Sequence, residues 1–175
     1  MIERLALLLL LSLCQIPLAS ACSSEDVFDL VAQRLSYMPA VARAKYALKV
    51  PVEDLAREAV VLEQSRTEAA AAGLPEAAVV ELMIAQMDVA KVIQRRQPER
   101  LSDAIDGRQL LAEIRPQLSR LGRLQLQTLA CLRQRGVLLL PAEFELFLTY
   151  LESQQLPREE ARLLFVRLQE LLAAP

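Results

Sequence analysis

The spacing of the apolar residues is the feature of this sequence that most restricts its fold. These residues recur at three and four positions rather than alternating, and that period is typical of an amphipathic helix. Ala, Leu, Glu, Gln and Arg dominate the composition, whereas aromatic residues make up 4% of it. Because the dominant residues are good helix formers, we predict an all-α protein, folded as a single-domain helical bundle of about six helices.

Proline and glycine residues divide the chain into the predicted helices. Ser23 or Ser24 is the expected N-cap of the first helix, and Pro39 should kink it. Gly73 and Gly136 should each follow the end of a helix. We predict helices over residues 25–49, 52–72, 75–97, 108–135, 141–155 and 157–172. The apolar period weakens between the third and the fourth, where we expect a turn rather than a domain linker.

The first residues have the order of a secretory signal peptide. Arg4 precedes an apolar run over residues 5–13, and the small residues of positions 19–21 follow. The run is shorter than the roughly 20 residues of a membrane-spanning helix. We therefore expect a signal peptide over residues 1–21, cleaved after Ala21, and a periplasmic or secreted mature domain over residues 22–175 with no transmembrane segment.

Two cysteines, Cys22 and Cys131, remain after such processing. An oxidising compartment allows them to pair, but pairing cannot be deduced from a sequence alone. Cleavage after Ala21 would also make Cys22 the new N-terminal residue, where a lipid anchor is an alternative. Ala19 makes a weak lipoprotein signal, so we favour ordinary cleavage and leave the pairing open.

The sequence lacks the residues that several common mechanisms require. It contains no histidine, which removes Ser-His-Asp triads, Cys-His pairs and histidine-ligated zinc. It also contains no glycine-rich nucleotide loop, so we predict neither a cofactor nor a metal. The net charge is −2 and predicts no attraction to nucleic acid or to an anionic membrane. Any anion site must therefore be a local cluster of basic residues.

Two groups of polar residues are candidates for such a cluster. Lys45 follows Arg34 by eleven positions, and eleven steps of about 100° return nearly to the same side of a helix. Both cations are therefore able to face one partner. Asp54, Arg57 and Glu58 have i, i+3 and i+4 spacing, and the simpler interpretation of these three alone is a self-satisfied network on a helix surface.

Two more polar residues lie on faces that otherwise resemble core. Gln94 comes one turn after Ala90 on an alanine-rich face, which leaves space beside its amide. Arg115 lies among apolar residues, and Pro116 directly after it loosens the local hydrogen bonding. We expect Arg115 to point toward the interior or a cleft. The alternative is an arginine that extends to solvent at a helix edge.

The order and spacing of these polar residues resemble the active-site pattern of the all-helical, type II chorismate mutases. The matching residues along the chain are Arg34, Lys45, Asp54, Arg57, Glu58 and Gln94. The segment QRLSYMPAVARAKYALKVPVEDLAREAVV is similar to the secreted gamma subclass in particular, in which a proline separates the first arginine from the lysine and the motif follows a signal peptide. The resemblance covers about residues 27–97, is weaker through Arg115, and is only a general helical similarity from about residue 120 onward.

The resemblance implies an exported chorismate mutase, an isomerase that rearranges chorismate to prephenate, a step of aromatic amino acid biosynthesis, without a cofactor. It also implies a homodimer in which each pocket is completed within one chain. An isochorismate pyruvate-lyase of the same fold and a non-catalytic exported helical binding module are the alternatives. Export and the secreted subclass favour the mutase.

The resemblance further implies a role for each site residue. Arg34 and Arg115 pair with the two substrate carboxylates, and Arg57 adds a third cation. Lys45 and Gln94 donate hydrogen bonds to the ether oxygen. The implied catalytic residues are Lys45, Gln94 and Glu58, the last on the ring hydroxyl, and the implied substrate-binding residues are Arg34, Lys45, Asp54, Arg57, Glu58, Ala90, Gln94 and Arg115.

Three positions depart from the family pattern. Ala90 stands where several members carry a hydroxyl that touches a substrate carboxylate, and Val61 stands where some secreted members have glutamine. Gln94 stands where some relatives use glutamate. We expect the first two departures to weaken binding. The third should free the activity from any need for acidic pH, because an amide donates a hydrogen bond without first being protonated.

Overall fold

The computed structural model of this protein describes residues 22–97 and 105–175. The predicted signal peptide and most of the predicted turn between the third and fourth helices lie outside these residues. Within them the chain is all-α and contains no strand, which confirms the predicted fold class. The helices are α1 Ser24–Ser36, α2 Met38–Ala47, α3 Leu55–Ala72, α4 Glu76–Arg95, α5 Gly107–Gln134, α6 Glu143–Leu151 and α7 Arg158–Ala173, with a 3-10 turn at Glu152–Gln154 between the last two.

The first predicted helix is two helices in the structure. α1 ends and α2 begins around Tyr37, and Pro39 lies in the first turn of α2. A proline cannot donate a backbone hydrogen bond, but this position of a helix does not require one. The kink was therefore predicted at the right place, but the continuous helix over residues 25–49 was wrong. The second segment ends near Lys49, which has a φ of 55°.

Local capping explains the bounds of α1 and α3. Ser23 is the N-cap of α1, and its hydroxyl and the carboxylate of Asp26 bond reciprocally to each other's backbone N–H. α3 begins three residues later than predicted because the carboxylate of Asp54 accepts a hydrogen bond from the backbone N–H of Arg57. Gly73 follows α3 in the left-handed region with a φ of 67°, as the sequence indicated.

The C-terminal helices pack against the side of the bundle away from α3. α7 lies on α4, and α6 lies on α1. Phe28 of α1 and Phe147 of α6 are fully buried, with ring centroids 5.0 Å apart, and Phe165 of α7 lies against both rings. This aromatic cluster fixes α1 and α4 from behind. The opposite faces of these helices are left to α2, α3 and α5.

A disulfide bond joins Cys22 and Cys131, and so answers the question that the sequence left open. It ties the residue that precedes the N-cap of α1 to the last turn of α5, and Arg135 donates a hydrogen bond to the carbonyl of Cys22 at 2.6 Å. One sulfur atom cannot hold both a disulfide and a lipid thioether. The paired form of the chain is therefore incompatible with a lipid anchor at Cys22.

The start of α5 approaches α2 closely. A Cβ atom at Gly107 would lie 2.4 Å from the backbone oxygen of Ala44 and 2.8 Å from Cγ of Leu48. Only glycine permits this distance, and the contact fixes α5 beside the turn of α2 that carries Lys45. None of the described helices combines the length and the apolar character that a membrane span needs.

Candidate active site

All eight residues that the sequence pattern implied for the site line one cavity among α1 to α5. The cavity has a volume of about 960 Å³, including the part that opens to solvent. Each helix contributes at least one polar position: Arg34 from α1, Lys45 from α2, Asp54, Arg57 and Glu58 from the start of α3, Ala90 and Gln94 from α4, and Arg115 from α5. No residue of α6 or α7 lines the cavity, so these two helices support it from behind.

Arg34 lies in the last turn of α1 and reaches toward α5. Its Nη1 donates a hydrogen bond to the backbone oxygen of Leu118 at 3.0 Å. Burial lowers the pKa of Arg34 to about 10, and the neighbouring charge of Arg57 acts in the same direction. The guanidinium therefore stays charged at neutral pH, although its surroundings disfavour that charge. Such a group is stabilised by the arrival of an anion.

Lys45 lies in the last turn of α2 and lines the same cavity. Its ammonium group donates a hydrogen bond to the carbonyl of Val52, which orients the side chain. Burial lowers the pKa of Lys45, and the nearby carboxylates of Asp54 and Glu58 partly offset the effect. Lys45 is thus a partly buried cation whose charge the surrounding residues balance only in part.

Asp54 and Arg57 occupy the start of α3. The surface network that spacing favoured for these residues is not what the structure shows, because Oδ1 of Asp54 accepts from the backbone N–H of Arg57 at 3.0 Å and not from its guanidinium. Asp54 is therefore a helix cap that also lines the cavity. The guanidinium of Arg57 is left to the cavity.

Glu58 is held by a residue that the sequence reasoning missed. Nζ of Lys91 lies 3.3 Å from Oε2 of Glu58 and 2.9 Å from Oδ1 of Asp88. Lys91 also lines the cavity, next to Ala90. In the sequence, Asp88 and Lys91 form an ordinary i, i+3 pair of a helix surface. Only the packing of α4 on α3 reveals that the lysine also reaches a carboxylate of the site.

Gln94 is a buried polar residue of the site, at 5% exposure. Its Nε2 donates to the sulfur of Met38 at 3.6 Å, and its Oε1 has no partner among the described residues. Sulfur is a weak acceptor, so the contact with Met38 holds the amide N–H groups of Gln94 only weakly. Tyr46 donates to the backbone oxygen of Gln94 at 3.2 Å and fixes that turn of α4 against α2.

Arg115 lies at the rim of the cavity. Its side chain is exposed, yet it belongs to the cavity lining. The place of Arg115 in the cavity lining agrees with the expected position at a cleft. Its exposure agrees with the alternative of an arginine that extends to solvent. Ala90 and Val61 also line the cavity, and neither side chain offers a hydrogen-bonding group there.

The charges of the cavity are unbalanced. Within residues 22–97 and 105–175, no carboxylate lies within 4 Å of the side-chain nitrogens of Arg34, Lys45, Arg57 or Arg115. The remaining walls are largely apolar and lower the local dielectric constant, which strengthens each electrostatic interaction. They include Met38, Val41, Met83, Met87, Leu111 and Ile114. The arrangement is suited to a small organic anion with more than one negative group.

Metal chemistry has no visible donor set in the part of the chain that the structure describes. No group of three or more Cys, Asp, Glu or His side chains is arranged to hold an ion there. Three acids line the cavity. Asp54 is committed to a helix cap, Glu58 to Lys91, and Glu68 to a hydrogen bond from Nε2 of Gln64 at 2.9 Å. The site offers cations, the amides of Gln64 and Gln94, and largely apolar walls.

The chain is similar to known proteins in sequence. Residues 24–95 match the family model of the type II chorismate mutases. A segment of 67 residues is 39% identical to the secreted chorismate mutase of Yersinia pestis, and it covers 38% of this chain and 36% of that protein. This sequence match spans about a third of the relative's length. The family-model match over residues 24–95 contains every candidate site residue except Arg115.

The similarity in structure extends further along the chain. The crystal structure of the secreted chorismate mutase from Yersinia pestis superimposes with a TM-score of 0.69 at 28% identity, over 82% of this chain and 94% of that one. The chorismate mutase from Burkholderia phymatum superimposes with a TM-score of 0.62 at 24% identity, over 81% of this chain and 93% of that one. At that identity the second likeness shows the fold alone.

Proposed function

We propose that this chain belongs to the type II chorismate mutase family, which its sequence and structural similarities support, and that it is a secreted chorismate mutase that rearranges chorismate to prephenate. The observation that carries the proposal is the cluster of four cations in one cavity with no carboxylate partner among the described residues. Folding such a cluster is costly unless a ligand compensates it, and a dianionic substrate does so.

The reaction asks little of the protein beyond binding and polarisation. In chorismate, a carbon–oxygen ether bond breaks while a carbon–carbon bond forms within the same molecule, and no proton or electron is exchanged with the enzyme. The absence of histidine from the sequence is therefore no obstacle. The cavity has to hold the compact conformer in which the two reacting ends meet and to stabilise the charge that develops in the transition state.

The cations divide this work between them. Arg34 and Arg115 pair with the two substrate carboxylates, for which the planar guanidinium group is well suited. Arg57 adds positive charge near Arg34. Arg34, already bonded to the backbone of α5, is the better fixed of the two carboxylate ligands. Arg115, at the exposed rim, closes over the substrate.

Lys45 and Gln94 act on the ether oxygen. Negative charge accumulates on this atom as the carbon–oxygen bond breaks, and hydrogen bonds that strengthen toward the transition state raise the rate of the chemical step. Lys45 supplies a charged donor and Gln94 an uncharged one. The weak contact of the Gln94 amide with Met38 lets its N–H groups turn to the substrate at little cost. Glu58 accepts from the ring hydroxyl.

We further infer that residues 1–21 are a signal peptide and that the mature domain of residues 22–175 works in the periplasm or outside the cell. The disulfide between Cys22 and Cys131 supports this inference, because such bonds persist in oxidising compartments. It also supports ordinary cleavage over a lipid anchor. The homodimer stays a prediction from the family resemblance.

A direct assay tests the proposed activity. Purified mature protein is mixed with chorismate, and the loss of chorismate absorbance and the formation of prephenate are followed. We expect turnover without any added cofactor or metal. A well-folded sample that converts no chorismate would contradict the proposal. Isochorismate is supplied in a parallel reaction, where release of pyruvate in place of mutase activity on chorismate would instead support a lyase of the same fold.

The pH dependence of the reaction tests the role of Gln94. The rate per bound substrate should stay flat between about pH 7.5 and pH 5.5, because no side chain has to gain a proton before it donates. On the alkaline side the rate should fall as Lys45 loses its proton, and it should do so below the usual range of a lysine, because burial lowers the pKa of Lys45. The measurement is kcat against pH.

The matched variant is Gln94→Glu. A glutamic acid donates only when protonated, so kcat of this variant should rise as the pH falls. A steep rise of kcat in acid for the native protein would show that Gln94 does not have the assigned role.

A further inference from the structure

We propose that Lys91 is a positioning residue that holds the carboxylate of Glu58 in place and offsets its negative charge. Glu58 is then able to accept a hydrogen bond from the ring hydroxyl of a substrate that itself carries two negative charges. Lys91 thereby extends the proposed mutase site, on which this inference rests, to a side chain outside the set that the sequence pattern implied. It acts through Glu58 and not by touching the reacting atoms.

The contacts of Lys91 place it between solvent and the site. Its Nζ lies 2.9 Å from Asp88, whose side chain is 55% exposed, and 3.3 Å from Glu58, whose side chain is 21% exposed. The lysine itself is 14% exposed. Burial alone would lower the pKa of Lys91, but the hydrogen bonds to Asp88 and Glu58 outweigh that effect and raise it. The ammonium group is thus firmly charged and held from both sides.

Glu58 is fixed at both of its carboxylate oxygens. Oε2 faces Lys91 of α4, and Oε1 accepts a long hydrogen bond of 3.5 Å from the backbone N–H of Asp54. The two contacts come from different elements, so they limit the rotation of the carboxylate group. A fixed carboxylate retains lone pairs for a hydroxyl donor. If Lys91 were removed, only the longer contact would remain.

The charge of Glu58 requires compensation in this cavity. A substrate with two carboxylates brings like charges toward it, and like charges at short range oppose binding. Asp88 lies beside Lys91. The other charged groups that line the cavity with Glu58 are Arg34 from α1, Lys45 from α2, Asp54, Arg57 and Glu68 from α3, Lys91 from α4, and Arg115 from α5. Of these, Lys91 alone within the described residues comes within 4 Å of the Glu58 carboxylate. It therefore offsets part of the repulsion, with its charge shared between Glu58 and Asp88.

The test is a double-mutant cycle with Lys91→Met and Glu58→Gln, read by KM and kcat on chorismate. In the native background, Lys91→Met should lower kcat/KM about tenfold, as expected for loss of a hydrogen bond between charged groups. Most of the change should appear in KM, because repulsion of a dianion acts on the bound substrate and on the transition state alike. In the Glu58→Gln background, the same substitution should change kcat/KM by less than about twofold.

Two controls accompany the cycle. Lys91→Arg keeps the charge and should restore most of the native KM. Arg167→Met also removes a cation that bridges two carboxylates, those of Glu81 and Glu170, but it lies away from the cavity and should leave KM and kcat unchanged. Circular dichroism and the melting temperature of each variant establish that it folds, and Lys91→Gln replaces Lys91→Met if the latter does not.

The outcomes separate this inference from the proposed function. Equal losses from Lys91→Met in both backgrounds would overturn it, since Lys91 would then contact the substrate without Glu58. A lowered melting temperature with native KM and kcat would also overturn it, since Lys91 would then only join α3 to α4. Turnover by the native protein alongside either result leaves the mutase proposal intact. A native protein without turnover overturns both.

Discussion

Lys45→Ala and Arg34→Ala should each lower kcat/KM on chorismate by a factor of about 150 or more, on the order of 3 kcal/mol of transition-state stabilisation. Lys45 loses the charged donor to the ether oxygen, and Arg34 loses the better fixed ligand of a carboxylate. The two variants should differ in how the loss of kcat/KM divides between kcat and KM. Lys45→Ala should act mainly on kcat, whereas Arg34→Ala should also raise KM.

The helical circular dichroism signal should be intact in both variants, since neither side chain belongs to the apolar core. Arg120→Ala is a matched control, because Arg120 is an exposed cation of α5 that does not line the cavity. Near-native activity in either Lys45→Ala or Arg34→Ala would mean that the pocket has been assigned to the wrong residues.

Replacing both cysteines, in the Cys22→Ser/Cys131→Ser variant, should lower the free energy of unfolding by about 4 kcal/mol. The disulfide closes a loop with a sequence separation of 109 residues, and the chain-entropy model assigns close to 5 kcal/mol to a loop of roughly that length. We expect somewhat less, because denatured chains retain residual contacts. The measurement is urea unfolding of the native and variant proteins.

Reduction provides the control for this prediction. A reducing agent should destabilise the native protein by a similar amount and should leave the double-serine variant unchanged. Activity well below the melting temperature should survive, because neither cysteine lines the cavity. Equal unfolding midpoints for the native and double-serine proteins, with equal slopes, would show that the bond does not restrict the unfolded chain as assumed.

Local sequence signals were sufficient for most of the fold. The apolar period located the helices, and Gly73 and Pro39 marked boundaries close to where the structure has them. The errors lie where two local signals compete. Pro39 predicts either a kink or a new first turn, and the choice depends on how α1 and α2 pack against α5. The start of α3 likewise depends on whether Asp54 is used as a cap or as an ion-pair partner.

The residues named from the sequence lie together in one cavity, and their role as a site stays a prediction. The contacts inside the cavity were not predicted. A motif along one chain identifies Glu58 as a site residue, but it does not reveal the neighbour that Glu58 meets across a helix interface. The pairing with Lys91 joins residues 33 positions apart, and the disulfide joins residues 109 apart. Both depend on tertiary packing, which neither periodicity nor spacing encodes.

The cations of the candidate site all lie in one chain, and α5 contributes Arg115 to the cavity that α1 to α4 begin. A protein released from the cell is diluted to low concentration, where an active site shared between subunits would be lost whenever the subunits separate. A pocket built within one chain has no such dependence on mass action. These cations therefore stay together in one chain at any dilution.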